Sequence, residues 1–220
     1  MPRHDSKAAE KPPGPTLLHE TLAMQHGARR VAGVDEAGRG PLAGPVVVAA
    51  VIFDRGRVPD GLNDSKLLAP DVRELLFAEI MATATVSVVA APPSVIASLN
   101  ILGATMWAMR RAVLGLSARP DHVLVDGNRL PPRLPVPATA IIGGDGLSVS
   151  IAAASIIAKV TRDRMCRIMH GEAPDFGFES HKGYATPEHL AALQRHGTCR
   201  HHRMDFAPCA EAAAARIAAE

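Results

Sequence analysis

The chain has 220 residues, a formal net charge of +2, 47% hydrophobic and 21% charged residues, and only 3% aromatics. That length suffices for one hydrophobic core filled by aliphatic side chains, and the composition is that of a folded rather than a disordered chain. The small charge excludes a uniformly basic nucleic-acid binder, no apolar run approaches a membrane span, and three cysteines without a C-x-x-C pair (Cys166, Cys199, Cys209) point to free thiols in a reducing cytoplasm.

Residues 1–27 open with MPRHDSKAAEKPPGP, polar and proline-bearing, with no signal-peptide core; they are expected to be a disordered leader, with a short helix over Leu17–His26. Residues 28–220 then form one domain. Strands are predicted over Arg30–Val34 and over the valine-rich Val46–Phe53. A helix opens at Ala69-Pro70-Asp71 and runs to Met81, with Val72, Leu75, Leu76 and Ile80 at helical spacing. Ala84–Ala91 is strand three, broken by Pro92-Pro93, and Ser94 caps a helix to Leu116. His122–Val125 and Thr139–Ile142 are strands four and five, joined by the proline-rich Leu130–Pro137. Ser148–His170 is the longest helical pattern. Thr186–His196, capped by Thr186 with Pro187 in its first turn, and Cys209–Ala219 are further helices. Early strands in succession followed by strand–helix alternation predict an α/β mixed sheet with helices on its faces.

Four acids share one setting. Asp35, Glu36, Asp126 and Asp145 each stand at or just past a strand end, next to glycine. Parallel strands of an open sheet deliver such ends to one edge, where ligands bind. Clustered carboxylates repel one another, a divalent cation relieves the repulsion, and oxygen-only ligands favour Mg2+ or Mn2+. Two such ions suit displacement at a phosphodiester. Adjacent strand residues point to opposite faces, so Asp35 and Glu36 share an ion only if the backbone is already turning there. Familiar glycine motifs fail on context. Arg39-Gly40 stand where a P-loop needs Lys and Ser or Thr, and Pro41 with the valine run opens no helix for a dinucleotide fold.

The stretch GVDEAGRGPLAGPVVVAAV closely resembles the N-terminal signature of ribonuclease HII. Asn63–Lys66, Val125–Gly127, Ser150–Asp163 (SIAAASIIAKVTRD) and His181–Thr186 (HKGYAT) match further blocks in the family's order, from about Val31 to Phe206. The resemblance implies a ribonuclease H-like sheet of five strands, the last two parallel to the first. It also implies a helical C-terminal extension, about residues 171–220.

The same resemblance implies a monomeric endonuclease of ribonucleotide excision repair. It would cut the RNA strand of RNA–DNA hybrids and single ribonucleotides in duplex DNA by two-metal-ion catalysis, leaving 5′-phosphate and 3′-hydroxyl ends. It makes Asp35, Glu36, Asp126 and Asp145 the catalytic Mg2+ or Mn2+ ligands, and Gly38, Arg39, Gly40, Lys66, Lys182 and Tyr184 the substrate contacts. Gly38-Arg39-Gly40 and Tyr184 would read the 2′-OH at a ribonucleotide joined to DNA.

Between His181 and Asp205, four Lys/Arg and five histidines against two acids predict a local basic patch. Lys159, Arg162 and Asp163 stand at spacings for mutual ion pairs. Gly143, Leu147 and Asp205 replace the family's usual lysines and serine. The rival readings are a junction resolvase of the same superfamily and a non-catalytic hybrid-binding protein; the complete four-acid set argues against the latter.

Overall fold

A computed structural model describes residues 14–54 and 56–217. Five strands form one sheet in the order β3-β2-β1-β4-β5. They are β1 (Val31–Ala37), β2 (Val46–Phe53), β3 (Ala84–Ala91), β4 (His122–Asp126) and β5 (Ala138–Ile141). The chain runs antiparallel from β1 to β3, and β4 and β5 lie parallel to β1.

Why β2 lacks an alternating pattern is clear from its two faces. Val46, Val48, Ala50 and Ile52 pack with Ala104, Ala108 and Met109 of α3 (Pro93–Leu114). Val47, Ala49 and Val51 pack with α2 (Pro70–Thr83) and α4 (Val149–Glu172). A strand covered on both sides reads as a continuous apolar run. The predicted helix from Ser94 is in fact two helices meeting at Asn100, whose φ is 54°. The Asn100 side chain accepts from the N–H groups of Leu102 and Gly103 and so caps the second half.

The placement of α4 follows from small residues on both sides of one contact. Ala152, Ala153 and Ala154 are fully buried, and α4 crosses β1 at Gly33, where a Cβ would stand 2.1 Å from the Ser150 carbonyl carbon. A side chain there would lift the helix at a cost on the order of 3 kcal/mol. The helix start is fixed from an unexpected quarter. Glu20, on α1 (Leu18–Gln25), accepts from Ser148 Oγ, Ser150 N and Ser150 Oγ, while Thr16 pairs with the backbone of Leu147 and Val149. Residues 1–13 of the expected leader lie outside the described residues. The remainder, from Thr16 onward, belongs to the packed domain because Glu20 finds its hydrogen-bond donors only there.

The C-terminal extension contains α5 (Phe178–His181), α6 (Pro187–His196) and α7 (Ala207–Ile217). Thr186 Oγ1 accepts from His189 N, the predicted cap. The short α5 has no sequence periodicity to announce it.

Candidate active site

The first acid pair does not sit on a turn. Hydrogen bonding of β1 to β2 continues through Asp35↔Ala49, Glu36↔Val48 and Ala37↔Val47, so the expected turn at Asp35-Glu36 is corrected to strand. The partner strand β2 is long enough to hold β1 extended past both acids. The two side chains therefore leave opposite faces. Asp35 is buried in a cleft with Ser155 and Lys159 of α4, whereas Glu36 also borders, with Asp126, a hollow against Leu102, Met106 and Met109 of α3.

Both remain at one end of the sheet, where β4 delivers Asp126. Gly144 N donates to Asp126 Oδ1 at 2.7 Å, tying the loop that carries the buried Asp145 to the end of β4. Space at Gly144 is tight: a Cβ would meet Ile151 Cδ1 at 2.6 Å and Asp126 Oδ1 at 3.3 Å, so a side chain there would displace both.

Electrostatics set this end apart. Burial first, then the charges of Glu36, Asp126 and Asp145, holds the Asp35 carboxyl well above the usual range, despite its hydrogen bond from Glu36 N at 2.7 Å. Burial also raises Glu36, against the pull of Arg39, whose Nη1 lies 3.4 Å from Glu36 Oε1. Asp126 is raised by burial and by Asp145. Lys66 Nζ stands 3.2 Å from Asp145 Oδ2, placing positive charge where Gly143 and Leu147 replace the family's lysines. Burial lowers the Lys66 ammonium, but Asp145 and Asp64 outweigh it and the net shift is upward. The Lys66 loop is held by a buried Ser65–Ser155 hydroxyl contact of 2.7 Å and by Arg73, which donates to Ser65 O and Leu68 O.

As arranged, no three His, Cys, Asp or Glu side chains among the described residues share one ion. The donor chemistry nonetheless fits a hard divalent cation: oxygen ligands only, buried, and mutually repelling.

One cleft gathers Asp35, Glu36 and Asp126 with Gly38, Arg39, Gly40, Lys66 and Tyr184. The Tyr184 ring edge lies 3.5 Å from where a Gly40 Cβ would be. Lys182 is not brought to the cleft; its ammonium turns back onto the carbonyl of Glu179. Of the expected ion pairs on α4, Lys159–Asp163 forms at 2.6 Å. Arg162 instead runs under the site, fully buried against the carbonyls of Ala43, Pro45 and Lys182.

The predicted basic patch is split between surface and interior, with Arg195, His196 and Arg200 exposed and Lys182, His181 and His201 half-buried. His189, His202 and Arg203 are buried, and Arg200 is paired to Glu172 at 2.5 Å. His189 and His202 face each other at 3.1 Å between ring nitrogens, and His189 Nδ1 lies 2.8 Å from the Tyr184 carbonyl oxygen. Asp205, in place of the usual serine, is exposed, and its charge acts on Arg203. Sequence reasoning missed Glu20, whose neighbours do not distinguish it and which only long-range contacts give a role. Arg203 was counted in the basic patch, but its buried place beneath the Gly38–Gly40 loop was not foreseen.

A five-stranded mixed sheet in this order, covered on both faces and carrying acids at the ends of its three parallel strands, defines a ribonuclease H-like nuclease. Known proteins agree. The family model "Ribonuclease HII" matches residues 32–209. A ribonuclease HII of Acidovorax sp. (strain JS42) is 58% identical over 205 residues, 93% of this chain and 98% of the relative. One from Paracidovorax citrulli (strain AAC00-1) is 62% identical over 183 residues, 83% and 76% of the two chains. Among solved structures, ribonuclease H2 from Pyrococcus horikoshii OT3 superposes with a TM-score of 0.73 at 27% identity, covering 84% of this chain and 98% of the other. The fold of a Bst ribonuclease HIII in complex with Mn2+ is also similar (TM-score 0.69, 21% identity, 88% and 72% covered). The chain belongs to the ribonuclease HII family and is a metal-dependent endoribonuclease that cleaves RNA in RNA–DNA hybrids.

Proposed function

We propose that this enzyme, besides cutting hybrids, cuts at single ribonucleotides embedded in duplex DNA, leaving 5′-phosphate and 3′-hydroxyl ends in ribonucleotide excision repair. The observation that carries this reading is the shared cleft, which sets the Gly38–Gly40 backbone and the Tyr184 ring against the same wall as Asp35, Glu36 and Asp126. A site that cuts one ribonucleotide among deoxynucleotides must read the 2′-OH beside the reacting phosphate.

Asp35, Glu36, Asp126 and Asp145 would hold Mg2+ or Mn2+, which supplies the Lewis-acid chemistry of a two-metal-ion displacement. Lys66, beside Asp145, would bind phosphate as a mobile cation; its side chain is 74% exposed. Backbone N–H groups of the Gly38–Gly40 loop would donate to the 2′-oxygen, and Tyr184 would pack against the neighbouring deoxyribose. The free thiols of Cys166, Cys199 and Cys209 suit work in a reducing cytoplasm.

The decisive assay compares a duplex with one ribonucleotide, a long RNA–DNA hybrid and an all-DNA junction, each with Mg2+ and with Mn2+. Cleavage on the 5′ side of the ribonucleotide is expected with the first. Cleavage of the hybrid alone would restrict the enzyme to continuous RNA, and cleavage of the junction would favour a resolvase.

A further inference from the structure

Arg162 and Arg203 are the largest side chains buried to below 2% exposure. A buried cation ordinarily needs a carboxylate. Here six carbonyl oxygens serve instead. Arg162 donates to Pro45 and Ala43 at 3.2 Å and to Lys182 at 3.0 Å. Arg203 donates from Nε to Gly44 at 2.9 Å, from Nη1 to Arg39 at 2.8 Å and from Nη2 to Gly38 at 2.6 Å. Five of these carbonyls lie between Gly38 and Pro45, the loop leaving β1. Backbone pairing reinforces the join, through Arg203 N to Leu42 O, Leu42 N to Gly183 O and Gly44 N to His201 O.

The peptide unit is planar and trans, so a carbonyl and the N–H that follows it point in opposite directions. With the Gly38 carbonyl on Arg203, the N–H of Arg39 points away from that guanidinium. With the Arg39 carbonyl there as well, the N–H of Gly40 does the same. Neither N–H donates to an acceptor among the described residues. Gly38, Arg39 and Gly40 line the carboxylate cleft and Arg203 does not, so away from Arg203 is toward the cleft. Gly38 makes room for the arrangement. Its φ is +93°, and a Cβ would lie 1.9 Å from Arg162 Nε.

We propose that Arg203, assisted by Arg162, is a positioning residue. It takes the carbonyls of Gly38 and Arg39 and so aims the Arg39 and Gly40 N–H groups into the cleft, as paired donors to the 2′-oxygen of the ribonucleotide at the cut. Arg203 touches no substrate; it acts through the loop. The inference rests on the single-ribonucleotide reading above.

The test uses the Asp126→Asn background, so that nothing is cut, and two duplexes identical except for one 2′-OH. In the parent, the Arg39 and Gly40 amide resonances should move with the ribonucleotide duplex and stay still with the all-DNA duplex. Arg203→Lys cannot span three separated carbonyls. It should lower the ratio of ribonucleotide to all-DNA affinity about tenfold, the effect of one to two hydrogen bonds, with all-DNA affinity unchanged. A merely structural role would weaken both duplexes equally, and that result overturns the proposal. So does an unchanged ratio.

Should Arg203→Lys not fold, Arg162→Lys is expected to lower the same ratio, and immobile Arg39 and Gly40 amides in the parent would overturn the proposal without any variant. A parent with no preference for the ribonucleotide sinks the functional reading and this proposal together. A parent preference kept intact in Arg203→Lys sinks the proposal alone.

Discussion

At the end of β1, the buried Asp35 lies within the electrostatic reach of Glu36, Asp126 and Asp145, and the charges oppose one another. Beneath the neighbouring loop, burial brings Arg162 and Arg203 together, and each spends its donors on neutral carbonyls. The repulsion is still felt: burial and Arg162 lower the Arg203 guanidinium to about 10. Yet its hydrogen bonds are satisfied, so it serves as a rigid post. Under the metal-ligand reading proposed above, a cation would relieve the repulsion among the acids. The arginines each donate to three carbonyls and serve as scaffold, whereas the acids, each with a hydrogen bond or ion pair, still repel one another.

The strongest way to break this contrast is to neutralise an acid. Asp35→Asn or Asp126→Asn should lower cleavage by about a thousandfold or more, on the order of 4 kcal/mol of transition-state stabilisation, with hybrid binding retained. Wild-type turnover by either variant, with metal controlled, removes that residue from the catalytic set.

Asp35→Asn should also stabilise the metal-free fold. A carboxyl raised above its usual value contributes stability that is complete below 3.8, and that contribution is lost as pH rises through the raised value. The variant is freed from that loss, so its advantage should grow toward neutral pH, on the order of 1 kcal/mol, and shrink when Mn2+ is added. Melting curves against pH, with and without Mn2+, measure it; a less stable variant at pH 7 contradicts the account.

The cationic region should respond to acid in the opposite sense. Burial and then His189 hold His202 down at about 4, against an ordinary 6.5. Its contribution is complete above 6.5 and is lost as pH falls toward 4, on the order of 3 kcal/mol at most. Hydrogen exchange of α6 should therefore quicken between these pH values while β1 and β2 stay protected, and His202→Gln should flatten the change. Equal quickening in the sheet would mean the two regions do not differ.

Smaller effects belong to the cleft wall. Tyr184→Phe should cost on the order of 1 kcal/mol on a single-ribonucleotide duplex, and Tyr184→Ala more, with lesser losses on long hybrids. An equal loss on both substrates would make Tyr184 an ordinary structural tyrosine. Least of all should come from Lys182→Ala, whose ammonium faces Glu179. Lys66→Ala should reduce the slope of log affinity against log salt by about one, and Lys182→Ala should leave it unchanged.

Much of this was legible in the residues. Val46–Phe53 and Ala84–Ala91 read as strands with the observed bounds, because valine runs between proline and glycine breaks leave little choice. The Thr186 cap and the Ser148–His170 helix were equally local. The acids' common address at strand ends came from sequence too, and the order of motif blocks gave the family. What the chain could not announce depends on contacts between distant residues. That β1 stays extended through Glu36 is decided by the length of β2. That Glu20 caps α4 is decided by a contact spanning 130 positions. That Arg162, Arg203 and His202 lie inside while Lys66 lies outside is decided by packing, since a cation's burial depends on whether carbonyls reach it, and no spacing along the chain encodes that.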